Sequence, residues 1–245
     1  MATTQLSEPT NKWSMTSVIA FSGALLMVML AGLGLIATVL GFSPADLING
    51  VLDRALATSS VQVMWYITRA AGLTAYLLVW LSTVWGLAVS NKILDPVLHR
   101  AFTYDFHQFV SLLAIGFVIV HIVVLLADQY LPFTVAQILI PFTASYRPVW
   151  VGVGVIALYL TLLVSITFYI RRWIGQKTFR FIHLASYLAF AGTALHGLLS
   201  GTDSPLWTVQ AMYLGTTLVV VFLTAYRVFM SAQAKRQRAA LSGRA

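Results

Sequence analysis

Six uninterrupted apolar stretches constrain this chain more than any other feature. They run near Ser17–Gly41, Val61–Leu87, Phe106–Ala127, Val149–Ile170, Phe179–Leu199 and Leu206–Phe229. Each approaches or exceeds the roughly 20 helical residues needed to cross a hydrocarbon core of about 30 Å. The runs are continuous rather than alternating, which predicts helices and not a β-barrel. Composition agrees: 9% of the 245 residues are charged and 59% are hydrophobic, against roughly a quarter charged in a soluble domain. The expected fold is an all-α integral membrane protein, a bundle of six transmembrane helices. That excludes a disordered chain and a nucleic-acid binder. The chain has no cysteine, so disulfide scaffolds, thiol catalysis and iron–sulfur clusters are excluded too. The first stretch is read as a retained helix, because its core is too long for a signal peptide and only Lys12 precedes it.

The formal charge of +8 is explained by its distribution. Lys12, Lys92, Arg100, Arg171, Arg172, Lys177, Arg180, Arg227, Lys235, Arg236, Arg238 and Arg244 fall on one face of the bundle, 12 of the 15 basic residues. The other face carries Arg54 and Arg147 beside Asp46, Asp53, Asp128 and Asp203, while Arg69 lies inside the second span. The positive-inside rule then places both termini and the second and fourth loops in the cytoplasm. Three parts are expected: a cytoplasmic segment 1–16, a six-helix domain 17–230 and a basic tail 231–245. The tail reads as an anchor that also meets anionic lipid. On the outer face, Phe42–Ser60 and Leu131–Arg147 each have room for a short amphipathic helix. No internal repeat stands out.

Ionisable residues inside a membrane are costly, and each is a functional hypothesis. Four of the five histidines lie in two spans: His107 and His121 in the third, fourteen apart, and His183 and His196 in the fifth, thirteen apart. At 1.5 Å per residue these intervals are about 21 and 19.5 Å. One metal ion cannot be shared within a helix at such distances, but two sites can stack across the membrane. Both spans run outward, so His107 and His183 lie near the cytoplasmic side and His121 and His196 nearer the exterior. If the two helices pack as neighbours, each level holds one histidine from each. Two opposed neutral imidazoles suit the axial positions of a six-coordinate haem, whereas zinc or copper needs three or four close ligands. His99, after Pro96, has no partner at its level and reads as a surface residue.

Fourteen residues return to within roughly 40° of the starting face of an ideal helix, but thirteen miss by roughly 140°. His183 and His196 therefore need a bend or an overwound stretch between them, and Gly192 is the expected place. The alternative for these histidines is polar glue between helices.

The histidine spacings on the third and fifth of six helices resemble the ferric reductase-like transmembrane domain. That family includes the membrane parts of ferric reductases and NADPH oxidases and the haem subunit of a bacterial methionine sulfoxide reductase system. The segments FRFIHLASYLAFAGTALHG and YITRAAGLTAYLLVW are similar to its fifth and second helices, and the likeness runs from about Val61 to Phe229. The resemblance implies two b-type haems stacked between helices three and five, the inner held by His107 and His183 and the outer by His121 and His196. It implies a propionate partner in Arg69 for the outer haem, and in Arg100 and Arg180 for the inner one. Phe117, Tyr187 and Phe190 lie at intermediate depth, either between the haems or as ordinary core.

The function expected is electron transfer across the cytoplasmic membrane, from a donor inside to an acceptor outside. About sixteen residues follow the sixth span, without a glycine-rich phosphate loop. Electrons are accordingly expected from a separate flavoprotein, reduced flavin or quinol, and flavin only through such a partner. Arg171, Arg172, Lys177 and Arg180 form a cluster suited to an anionic donor. Ferric chelates, dioxygen, a quinone and an exported partner all remain open as acceptors. One rival is a haem subunit serving a separate exported oxidoreductase, such as a methionine sulfoxide reductase. Another is a histidine-relay transporter without haem.

Overall fold

The computed structural model describes residues 60–128 and 131–242. The segment 1–16, the first expected span Ser17–Gly41 and nearly all of the loop after it lie outside them. The described residues form seven helices in chain order: α1 (Ser60–Ser90), α2 (Arg100–Ala127), α3 (Val135–Leu139), α4 (Pro148–Ile174), α5 (Gln176–His183), α6 (Ala185–Ser200) and α7 (Trp207–Ser242). With α5 and α6 taken together as Gln176–Ser200, five helices are long and apolar enough to cross a membrane. They correspond to the second through sixth apolar stretches and exceed them by a few residues at their ends. The chain is an all-helical protein of membrane character.

The surface supports the same conclusion. Phe222, Leu188 and Ile119 are 68, 65 and 54% exposed within their helices. In water, faces so apolar would be aggregation sites; in lipid they are the expected exterior. Several internal hydroxyls are satisfied within their own helix, as a lipid surrounding requires. Thr83, Thr161, Thr193 and Thr224 each donate their hydroxyl to the carbonyl one turn earlier, at 2.7 to 2.8 Å.

The tightest pairings are α1 with α2 and α4 with α6, and α7 leans on α1. Helix α2, which carries His107 and His121, hardly touches α5, which ends with His183, or α6, which carries His196. The histidine-bearing helices face each other across a gap, without close packing between them. Close packing would leave no room for anything between the imidazoles.

Two local features set the geometry of that gap. The first is the break between α5 and α6 at Leu184, immediately after His183, where Leu184 and Tyr187 donate to carbonyls three residues back. Local overwinding therefore occurs here and not at Gly192. Gly192 sits in regular helix, and its missing side chain admits α4: a Cβ there would lie 3.0 Å from that of Ala157.

The second feature is the connector 131–147. Its short helix α3, expected from the sequence, opens with a capping box between Thr134 and Gln137. The connector then folds back on α4 and α6. Tyr159 donates to the Leu139 carbonyl, Tyr146 donates to that of Ser200 at 3.1 Å, and Arg147 donates to that of Leu199. Leu131, Phe133, Ile138 and Tyr146 of the connector thereby line one end of the gap.

Candidate functional site

An imidazole can lie flat against a neighbouring helix only where that helix has no side chain in the way. On α1, a Cβ at Gly72 would come within 3.0 Å of the His121 ring, and one at Gly86 within 3.2 Å of the His107 ring. On α4, a Cβ at Gly154 would collide with His196. Gly72 and Gly86 are fourteen residues apart, the interval that separates His107 from His121. Because α1 and α2 run antiparallel, each glycine meets one histidine. This glycine register went unread in the sequence, although the shared interval is visible there.

The pocket also fixes the proton of each imidazole at one level. His121 Nδ1 lies 2.8 Å from the carbonyl of Thr68, four residues before Gly72. His196 Nδ1 lies 2.9 Å from the carbonyl of Trp150, four residues before Gly154. A carbonyl can only accept, so Nδ1 donates in both, and in the neutral ring Nε2 keeps a free lone pair. Carbonyl-anchored imidazoles of this kind are typical of metal ligands. Two unrelated helices build the same arrangement against α2 and α6. Both histidines line one cavity, of about 220 Å³, whose walls include Leu73, Val79, Ile115, Val155 and Leu158.

At the other level the His107 and His183 ring centres are 6.2 Å apart with planes inclined at 75°. That separation is about twice the sum of a metal–nitrogen bond of about 2 Å and a ring radius of about 1.1 Å. It is too long for a direct hydrogen bond. His107 Nδ1 lies 3.4 Å from the Ser82 hydroxyl, which in turn meets Ser111 at 2.7 Å. His183 Nδ1 is buried without a hydrogen-bond partner. The histidines thus stand at two levels, paired by depth.

Between the levels lies an aromatic cluster. Tyr76, 1% exposed, packs on Tyr213 at 4.4 Å and stacks on Phe190 at 6.2 Å, and it is hydrogen-bonded to Thr216. Phe190 is therefore core, while Phe117 and Tyr187 are half-buried.

The cations are distributed unequally. Arg69 lines the second-level cavity beside Thr68, and its guanidinium pairs with Asp203 through two contacts, the Nε arm at 2.7 Å. Arg100 is turned to the surface, 64% exposed, and binds Asp95 at 2.8 Å. Arg180 is also exposed. Neither is brought to the His107–His183 level by a contact. His99 is exposed at the start of α2, as expected.

Among the described residues no three His, Cys, Asp or Glu side chains converge as a metal site. The donors come as pairs, a set too small for an all-protein tetrahedral centre but the number a haem requires, since the macrocycle supplies the other four. No protein-family model, curated protein or solved structure matches this chain.

Proposed function

We propose that this chain is a di-haem b protein of the cytoplasmic membrane that carries electrons from a cytoplasmic donor to an acceptor outside. One observation carries the reading: His121 and His196, on helices that do not pack together, each spend Nδ1 on a backbone carbonyl and keep Nε2 for the cavity they share. The first-level pair supports it with a separation suited to one ion between two imidazoles.

In this reading His107 and His183 would hold the inner haem, and His121 and His196 the outer one. Bound haem supplies one-electron chemistry at its iron, with a potential set by ligands, hydrogen bonds and burial. The chain does the rest. Thr68 and Trp150 orient the outer imidazoles and raise their basicity through Nδ1. Ser82 steadies His107. The glycines let the rings seat against backbone, the connector 131–147 covers one end, and the aromatic cluster holds the two levels apart. Exposed Arg171, Arg172, Lys177 and Arg180 give the cytoplasmic end a basic surface for a flavoprotein, a reduced flavin or another anionic donor.

The test is a reduced-minus-oxidised spectrum of the detergent-purified chain, with haem quantified per polypeptide. Low-spin b-type bands at two haems per chain are expected. His196→Ala should remove the low-spin signal of one of them and His107→Ala that of the other, since each would then be held by one histidine alone. A wild-type chain lacking haem, from cells supplied with it, would overturn the reading and favour a histidine relay.

A further inference from the structure

Three of the four membrane histidines have a seat, and the fourth does not. His121, His107 and His196 each lie over a glycine of the facing helix, Gly72, Gly86 and Gly154 respectively. Each also finds an oxygen for Nδ1 on the residue four places before that glycine. These are the Thr68 carbonyl at 2.8 Å, the Ser82 hydroxyl at 3.4 Å and the Trp150 carbonyl at 2.9 Å. His183 has neither. Its Nδ1 is buried without a partner among the described residues, and no described glycine has this ring among the nearest neighbours of a Cβ.

The reason lies on α4. Ala157 meets Gly192 and Gly154 meets His196, so α4 and the α5–α6 span run antiparallel. Continuing that count brings His183 opposite Ile166 and Thr167. Thr167, 3% exposed, carries a side chain where a seat would need bare backbone, and its hydroxyl is turned back on the Val164 carbonyl at 2.9 Å. His183 is also the last residue of α5, beside the break at Leu184, and Leu184 is 55% exposed. Phe179, one turn earlier, is a ring neighbour at 5.2 Å, and an aromatic face offers an N–H only a weak acceptor.

We infer that His183 is the exchangeable ligand of the inner level, where a diatomic ligand of ferrous haem, of the carbon monoxide class, takes its place while the outer level stays closed. The inference rests on the haem reading above and deepens it. A hydrogen bond from Nδ1 fixes the ring and raises the basicity of Nε2, and losing such a partner weakens a metal ligand about 10- to 100-fold. His107, His121 and His196 keep theirs, so the weakest of the four axial bonds is the one from His183. In the exchange the bond from its Nε2 to iron breaks and one from the incoming carbon forms; no proton or electron moves. His107, steadied by Ser82, keeps the opposite axial position throughout.

The experiment is titration of the dithionite-reduced full chain in detergent with carbon monoxide, followed by the Soret spectrum, with haem quantified per polypeptide. The wild type should bind carbon monoxide at one of its two haems. In His196→Ala every haem that remains should bind it, whether the outer one stays, now with an open position, or is lost. Gly154→Ala should behave in the same way, because it spoils the seat and keeps the histidine. A wild type with two haems that binds at neither, or equally at both, would overturn this inference alone. So would carbon monoxide confined to half or none of the haem in either variant. A wild type without haem would bring down the underlying reading with it.

Discussion

A methyl group decides whether an imidazole reaches its carbonyl in this protein. His196 presses on α4 at Gly154 so closely that a Cβ would overlap the ring, and the ring is held there by the Trp150 carbonyl. Gly154→Ala should push the imidazole off that carbonyl at an overpacking cost of about 1–3 kcal/mol. The expected result is a lower melting temperature in detergent and loss of the outer haem, with the inner one retained. Gly215→Ala on α7 is the control, since nothing lies within 4 Å of a Cβ there; it should melt no lower than wild type. Equal effects of the two substitutions on haem content would refute the steric account. The histidines were legible in the sequence because charge-capable residues are rare in apolar spans. Their glycine seats were less so, because a glycine in a membrane helix has several uses and only the facing residue reveals which.

At the scale of the element, the fifth span carries two histidines at an unfavourable interval. The mismatch of thirteen residues is plain from the sequence, but the overwound stretch between the two histidines sits at Leu184, where no glycine or proline marks it. Backbone hydrogen bonds one residue shorter than the α pattern overwind the chain just past His183. Everything after the break is regular as far as Ser200. Inserting one alanine between Ala185 and Phe190 should rotate His196 by about 100° and advance it about 1.5 Å. The prediction is a chain with the inner haem alone, read by spectrum and haem content. Two retained haems would mean that the helix absorbs the insertion and that its register matters little.

For the whole molecule, the two close helix pairs leave a gap rather than a filled core, and the connector 131–147 covers one end of it. The basic residues Lys92, Arg171, Arg172, Lys177 and Arg236 lie toward the end that carries His107 and His183; Asp203 and the connector lie toward the other. Because the chain has no cysteine, single introduced thiols can report the orientation without background. Val97→Cys, at a position 81% exposed, should react with a membrane-impermeant maleimide only after the cytoplasmic side is opened. Thr202→Cys should react in intact cells. The reverse pattern would invert the proposed direction of electron flow.

Hydrophobicity alone determined that this chain is helical and belongs in a membrane. Twenty consecutive apolar residues have few other stable fates, and the five described spans appear where the runs do. Scarcity and interval alone singled out His107, His121, His183 and His196 as candidates, in two pairs by depth. The tertiary structure decided that α2 and α6 stand apart, that Arg69 is held by Asp203 while Arg100 turns to the surface, and that three glycines are seats for imidazoles. The physical reason is the range of the information involved. Burial and helical period are properties of neighbouring residues, whereas a gap, an ion pair across 134 positions and a glycine's partner exist only once distant helices meet.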